Sequence, residues 1–135
     1  MSSARGDRTT TIAAWISIGK GRGQEAVTFC REAFGAEVLF VSDNERGVIA
    51  RLAVDGAEFW LSDGSPEHRN VSPESVNAVT TRLIFVVEDP DTLFDRAVSA
   101  GASPICPMKD DHGWRVGGIR DPFGHHWEMA REDRA

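Results

Sequence analysis

Hydrophobic and polar residues alternate in eight short segments of the chain, which is the pattern of strands with one buried and one open face. The predicted strands cover residues 11–18, 37–41, 48–54 and 58–62 in the first half and 81–87, 103–106, 115–119 and 125–130 in the second. Pro104 and Pro107 lie at the sixth of these segments. Because proline cannot donate a hydrogen bond to a β ladder, we expect that strand at a sheet edge.

Two further segments carry apolar residues at helical spacing instead. In residues 24–34 the apolar side chains recur on one side of a helix, and Gly35 follows where a left-handed cap is expected. A second helix is predicted from Pro90, with Asp89 as its cap, to the residue before Gly101.

The order of these elements is the same in both halves of the chain: a strand, a helix and three strands. Such a repeat predicts two βαβββ half-modules, residues 11–62 and 80–130, within one α+β domain spanning residues 1–135. Residues 63–79 between them are rich in Ser, Pro, Asn and charge, which predicts a mobile linker or a lid.

Composition and charge limit the partners. With 41% hydrophobic residues, 27% charged residues and a net charge of −6, the chain is typical of a soluble globular protein and is a poor partner for nucleic acid. No apolar signal segment or segment of the roughly 20 apolar residues needed to span a bilayer is found. We therefore expect a cytoplasmic protein with neither a membrane nor a nucleic-acid partner. Cys30 and Cys106 lack zinc or redox spacing and are expected to act as small hydrophobes.

The segments AWISI, EAFGAE, VEDPD and GWRVGGIRDPFGHHWE occupy residues 14–18, 32–37, 87–91 and 113–128. In them the chain resembles the glyoxalase/bleomycin-resistance/extradiol-dioxygenase superfamily, also called vicinal oxygen chelate proteins. The resemblance implies that the two modules form a curved, barrel-like mixed sheet around a cavity, with the helices on its convex face. It also implies a homodimer and a small-molecule ligand.

The resemblance bears on metal binding too, because the metal-using members place a ligand on the first and last strands of each module. The corresponding positions here are Ala13 and Trp60 in the first half and Arg82 and Glu128 in the second. Only Glu128 is a good ligand, since alanine has no donor atom, an indole nitrogen donates a hydrogen bond and guanidinium is a permanent cation. One carboxylate is too few for zinc, iron or manganese, so we expect no metal and no other cofactor.

Strand alternation assigns side chains to the two faces of the predicted sheet. The apolar parity should pack beneath the helices and comprises Ile12, Ile16, Ile18, Phe59, Leu61, Leu83, Phe85, Val87, Trp127 and Met129. The other parity is mixed and should face the cavity. Its candidate ligand-binding residues are Trp15, Trp60, Arg82, His126 and Glu128, and Trp114 is expected at the mouth of the cavity or at the dimer seam.

Arg82 and Glu128 are expected to form a charged pair that has two interpretations. The pair either anchors a polar group of a ligand beside the flat faces of the tryptophans, or satisfies itself and only fills the vacated metal position. His126 could act as a general base, but no nucleophile accompanies it, which favours a structural histidine. His125 is expected to belong to the preceding turn.

The sequence favours a metal-independent binding protein that sequesters an aromatic or amide-bearing compound and has no catalytic residue. In this it resembles the drug-binding resistance proteins of the superfamily. The alternative is a glyoxalase- or dioxygenase-like metalloenzyme with a displaced metal set, Glu128 with His126 and a residue of the partner chain. A third interpretation is a regulatory or structural domain whose cavity is filled by Trp15 and Trp60 themselves.

Overall fold

A computed structural model of the protein describes residues 9–133. Within this range the elements are β1 (Ala14–Ile18), α1 (Gly23–Phe34), β2 (Glu37–Asn44), β3 (Gly47–Val54), β4 (Ala57–Asp63), a 3-10 turn (Pro66–His68), α2 (Pro73–Val76), β5 (Arg82–Val86), α3 (Pro90–Ser99), β6 (Ser103–Asp111), β7 (Trp114–Arg120) and β8 (His126–Glu132). The predicted βαβββ order is thus present twice. In the part of the chain described, no helix has the length and hydropathy needed to cross a membrane.

Each module forms a four-stranded mixed sheet, in the order β1-β4-β3-β2 or β5-β8-β7-β6. The first strand of each module runs parallel to the last strand, and the other neighbours are antiparallel. The sheets are not closed, and they form the curved, barrel-like α+β architecture expected from the sequence. The strand that holds Pro104 and Pro107 is at the edge of its sheet, as predicted.

The helices cover one face of the sheets and join the two modules in a shared core. Phe34 of α1 packs against Phe85 and Trp127 of the second module, with ring centroids 4.9 and 4.8 Å apart. Trp127 also meets Phe59 of β4 edge-on at 5.4 Å. Burial of side chains of this size stabilises the fold by about 1.5–3 kcal/mol each, so this aromatic cluster is a principal link between the modules.

The start of β1 differs from the sequence prediction. Ile12 was expected in the core, but it is 99% exposed. The strand begins only at Ala14, where pairing with Phe59 of β4 begins, and Ala13 lies before it. Alternation of polarity continues back to Ile12, but the pairing of β1 with β4 begins only at Ala14, and an unpaired segment has no sheet face to bury.

The predicted linker is docked against both modules. Arg22 Nη1 lies 2.6 Å from Glu74 Oε2 on α2 and donates to the carbonyl oxygen of Pro122 at 3.2 Å. Gly124 has a φ of +94°, and a Cβ added there would lie 2.8 Å from the backbone nitrogen of Glu74. The glycine therefore permits both the turn and the close approach of the linker helix.

Candidate functional site

The open face of the N-terminal sheet carries four side chains at one level, which we call the aromatic row: Trp15, Trp60, Arg51 and Phe40. The strand register places Trp15 beside Trp60, Trp60 beside Arg51 and Arg51 beside Phe40. The sequence neighbours of Trp60 and Arg51 point to the opposite face and are buried, as strand alternation requires, whereas Leu39 and Val41 beside Phe40 on the edge strand are exposed. Trp15 and Phe40 remain 51% and 49% exposed, so the row is an aromatic surface that the described chain leaves open.

Trp15 is held in place in spite of its exposure. Its ring stacks on Trp60 with a centroid distance of 5.0 Å and an interplanar angle of 9°. Its Nε1 donates a hydrogen bond of 2.8 Å to Ser62 Oγ. Aromatic stacking contributes about 0.5–1.5 kcal/mol beyond area burial, and the hydrogen bond fixes the orientation of the indole. Trp15 and Trp60, two of the predicted ligand-binding residues, are therefore together in a defined geometry.

On the side away from Trp15, Trp60 is covered by Arg51 and Phe40. Arg51 Nη2 pairs with Glu58 Oε1 at 2.7 Å, and the guanidinium carbon of Arg51 lies 6.0 Å from the Trp60 ring centroid. Phe40 is tilted against Trp60 with centroids 6.5 Å apart. Trp15 is thus the end of the aromatic row that stands at the sheet edge, next to the second module.

In the C-terminal sheet, the positions that correspond to the aromatic row carry different residues. We call these the sparse row: Ile84, Glu128, Gly118 and Cys106. They are neighbours by register across β5, β8, β7 and β6. Gly118 leaves a gap in this row, and a Cβ added to it would lie 3.2 Å from His126 Nε2. The imidazole of His126 therefore lies next to this gap, on the same face as Glu128.

The predicted charged pair of Arg82 and Glu128 is present. Arg82 Nη1 lies 3.1 Å from Glu128 Oε2, and the two side chains are 65% and 25% exposed. A pair this exposed contributes only about 0–1 kcal/mol to stability. The guanidinium carries five N–H donors and uses one in this contact, so the pair retains donor capacity for a ligand.

These residues do not fit the metal that the superfamily's enzymes use. A guanidinium cation contacts the one suitable carboxylate, and Trp60 is engaged in its stack with Trp15. Among residues 9–133 no three His, Cys, Asp or Glu side chains come together as a set that could hold a metal ion. His126 and Glu128 share a face, but the described chain supplies no third ligand beside them.

Trp114 does not join the other predicted site residues. It lies at the start of β7 opposite Glu132, four residues before Gly118 and hence about 13 Å away along the strand. It is half-buried and is not part of the cavity lining described next. Its expected place, at the mouth of the ligand cavity or at the dimer seam, stays a prediction, because parity predicts the face of a side chain but not its position along the strand.

A cavity of about 460 Å³ lies between the free edges of β1 and β5, beneath the linker. Its volume is within the range of small-molecule sites, about 300–1,000 Å³. Its lining is predominantly apolar and includes Trp15 at one side; the other lining residues are Ala14, Ile16, Ser17, Arg69, Asn70, Val71, Pro73, Val76, Ala78, Val79, Thr80, Thr81, Leu83 and His125. Of the six predicted ligand-binding residues, Trp15 is the one that both lies in the aromatic row and lines this cavity.

His125, which the sequence placed simply in the turn, connects the two modules. It is buried, and its Nε2 lies 2.8 Å from the carbonyl oxygen of Ser17 on β1. Because a carbonyl oxygen only accepts, Nε2 carries the proton. The two residues are 108 positions apart in the sequence, and no local sequence pattern predicts their contact.

The turn before His125 is organised by the buried carboxylate of Asp121. It accepts hydrogen bonds from the backbone nitrogens of Phe123 and His125, both at 2.9 Å, and from Trp127 Nε1 at 2.8 Å. Burial raises the pKa of the Asp121 carboxyl, while these hydrogen bonds act in the opposite direction. The acid is therefore engaged in holding the turn and the core tryptophan.

Comparisons with known proteins agree with this fold. A profile of the Glyoxalase/Bleomycin resistance protein/Dioxygenase superfamily matches residues 12–129. An uncharacterized protein of Mycobacterium tuberculosis, Rv0887c, is 31% identical over 115 residues, which are 81% of this chain and 68% of the relative.

Three solved structures share the fold at lower identity. TioX from Micromonospora sp. ML1 has a TM-score of 0.68 and 23% identity, covering 93% of this chain and 98% of its own. TnmS3, an antibiotic binding protein from Streptomyces sp. CB03234, has a TM-score of 0.66 and 19% identity with the same coverage of 93% and 98%. The fosfomycin resistance protein FosX from Listeria monocytogenes, in complex with Mn(II), has a TM-score of 0.66 and 16% identity, covering 90% of each chain. The family match over nearly the whole chain establishes that this protein belongs to the Glyoxalase/Bleomycin resistance protein/Dioxygenase superfamily.

Proposed function

We propose that this protein binds and sequesters a small aromatic or amide-bearing molecule without using a metal. The observation that carries the proposal is the state of Trp15. Its indole is held by the stack on Trp60 and by the hydrogen bond to Ser62, yet it is 51% exposed. A ring that is already oriented loses little further conformational entropy when a ligand stacks on it, so it is a preorganised binding surface.

The Arg82 and Glu128 pair supplies the polar part of this proposal. A guanidinium beside a carboxylate presents a donor next to an acceptor, which matches the carbonyl and N–H of an amide. The 65% exposure of Arg82 supports an anchoring role over a pair that only satisfies itself. His126, beside Arg82 in the strand register, belongs to the same surface.

The donor set supports a metal-independent mode of binding over the metalloenzyme alternative. The fold neighbours include proteins of both kinds, since TnmS3 is an antibiotic binding protein and FosX is seen with Mn(II). In this chain the cation of Arg82 contacts the carboxylate that would have to bind the metal. Electrostatic repulsion between guanidinium and a divalent ion therefore disfavours the second kind of site.

We also propose that the protein is a homodimer in which a second copy covers the open faces of the sheets. These faces expose large apolar side chains, among them Phe40, Ile84 and Val86 at 49%, 54% and 63%. Apolar surface exposed in this density marks interaction sites in soluble proteins. Such a dimer would enclose the ligand next to Trp15 and exclude water from it. The cytoplasm stays the predicted location.

A fluorescence titration combined with metal analysis tests this function. Purified, chelator-washed protein is titrated with 2-naphthamide while tryptophan emission is followed, and its metal content is measured by mass spectrometry. We expect saturable quenching in protein that carries no stoichiometric divalent metal. An indole emission that stays unchanged throughout the titration, or binding that requires one metal ion per chain, would contradict the proposal.

A further inference from the structure

The cavity between β1 and β5 adjoins the exposed face of the site, because Trp15 belongs to both. The opposite wall comes from the linker, whose valines Val71, Val76 and Val79 line it while remaining 41%, 58% and 36% exposed. Contact with a ligand would remove these exposed apolar side chains from water, which is favourable. The cavity therefore extends the flat surface of Trp15 into a partly open, mainly apolar compartment.

The charges around this compartment are unlike those of the protein as a whole. The chain has 21 acidic residues and a net charge of −6, but no Asp or Glu is among the lining residues that the structure describes. The lining does contain the cation Arg69. Its guanidinium forms no ion pair or side-chain hydrogen bond within residues 9–133, whereas Arg51 and Arg82 are paired with Glu58 and Glu128.

A second hydrogen-bond donor lies next to Arg69. Asn70 Oδ1 accepts a hydrogen bond from the hydroxyl of Ser17, which fixes the orientation of the amide group. The amide nitrogen of Asn70 has no partner in the described part of the chain and is available to a ligand. The N–H group of His125 Nε2 already donates its hydrogen bond to the Ser17 carbonyl oxygen and is not available to a ligand. The free polar groups of Arg69 and Asn70 are therefore donors, and an anion is the ligand group they suit.

We propose that this cavity selects the ligand class: an aromatic carboxylate whose ring stacks on Trp15 and whose carboxylate is bound by Arg69 and Asn70. The inference rests on the proposed function in using Trp15, and it adds a second compartment and a preference for an anion. A carboxylate gains a charge-assisted hydrogen bond from Arg69 that an amide of the same shape does not. The linker is then part of the binding site.

Calorimetric titration with 2-naphthoate and 2-naphthamide tests the proposal, since the two probes have the same ring system and differ in charge. We expect the unmodified protein to bind the naphthoate about tenfold more tightly, as one charge-assisted hydrogen bond allows. In Arg69→Gln the naphthoate affinity should fall about five- to tenfold, and the naphthamide affinity should stay within about twofold. Arg46→Gln removes the same charge in the β2–β3 turn, away from the cavity, and should change neither affinity.

A second variant tests the cavity itself. Ala78 lies on the exposed linker and lines the cavity, so Ala78→Phe narrows the compartment without repacking the core, and circular dichroism checks that the fold is kept. We expect naphthoate binding to weaken at least about fivefold, the effect of a steric clash of roughly 1 kcal/mol. If both probes bind and quench tryptophan emission but Arg69→Gln or Ala78→Phe leaves naphthoate binding unchanged, this inference is wrong and the proposed function stands. If neither probe binds, both are wrong.

Discussion

The two sheets of this protein share one topology and differ in what their open faces carry. The N-terminal sheet presents the aromatic row, whereas the C-terminal sheet presents the sparse row with a glycine gap and a charged pair beside it. The side chains that point to the opposite, helix-covered faces are alike in the two sheets, since Leu61 and Met129, for example, are both fully buried. Core packing tolerates little change in volume, so the buried parity stays apolar while the open parity of a duplicated module is free to specialise.

Two tryptophans on the last strands of the sheets show the same contrast. Trp60 on β4 belongs to the open face and is half-buried, while Trp127 on β8 belongs to the core and is 3% exposed. Trp127 stacks on Phe85 with centroids 5.2 Å apart. One residue type therefore belongs to the open face in one module and to the core in the other, according to its parity.

The largest expected effect concerns stability, when a tryptophan is removed from the core or from the open face. Trp127→Ala should lower the free energy of unfolding by about 3–5 kcal/mol, because it leaves a cavity among aromatic rings. Trp60→Ala, a matched change on the open face, should lower it by less, about 1.5–2.5 kcal/mol, the value of a lost stack and of half-buried apolar area. Urea denaturation followed by circular dichroism measures both. Equal losses for the two variants would contradict the assignment of opposite faces.

The second prediction concerns the dimer proposed for the open faces. Ile84→Glu places a charge at an apolar contact, which should weaken the dimer at least about a hundredfold through the cost of burying an unpaired carboxylate. Light scattering after size exclusion should then give the chain mass of 14.8 kDa in place of twice that value. Thr28→Glu, on the exposed side of α1, should leave the mass of the dimer unchanged. A monomeric unmodified protein would refute the proposed assembly.

A smaller effect is expected from removing the exposed ring itself. Trp15→Ala should weaken 2-naphthamide binding about ten- to a hundredfold, since the stack and the apolar area it buries are together worth roughly 1.5–3 kcal/mol. Trp114→Ala removes the same residue type from the far end of the other sheet and should change the affinity by less than about twofold. Calorimetry gives both affinities. A stronger effect of Trp114 than of Trp15 would place the site elsewhere.

The smallest effect is expected at the charged pair. Arg82→Met should change the unfolding free energy by less than about 1 kcal/mol because the pair is largely exposed. It should weaken 2-naphthamide binding about two- to fivefold if Arg82 donates to the ligand. Chemical denaturation and calorimetry on the same preparation separate the two effects. An unchanged affinity with an intact fold would mean that Arg82 and Glu128 only satisfy each other.

Much of the fold could be predicted from the sequence, because alternation, helical spacing and the repeated order of elements are local properties. The same reasoning assigned Trp15, Trp60, Arg82 and Glu128 to one kind of face. It missed Arg51 and Phe40 as members of the aromatic row. Their membership depends on the register of three strand pairs and on the irregularity between Val38 and Phe40, which shifts the pairing of β2.

The sequence by itself determined the duplicated modules, the apolar and mixed faces of the strands and the charge contrast between Arg82 and Glu128. Only the tertiary structure decided where β1 begins, how the linker docks, that His125 reaches Ser17 and that a cavity with Arg69 and Trp15 forms between the modules. The difference lies in how far apart in the sequence the interacting residues are. Periodicity is written in neighbouring residues, whereas pairing, docking and cavity shape arise from contacts between segments far apart in the chain, whose geometry no local pattern encodes.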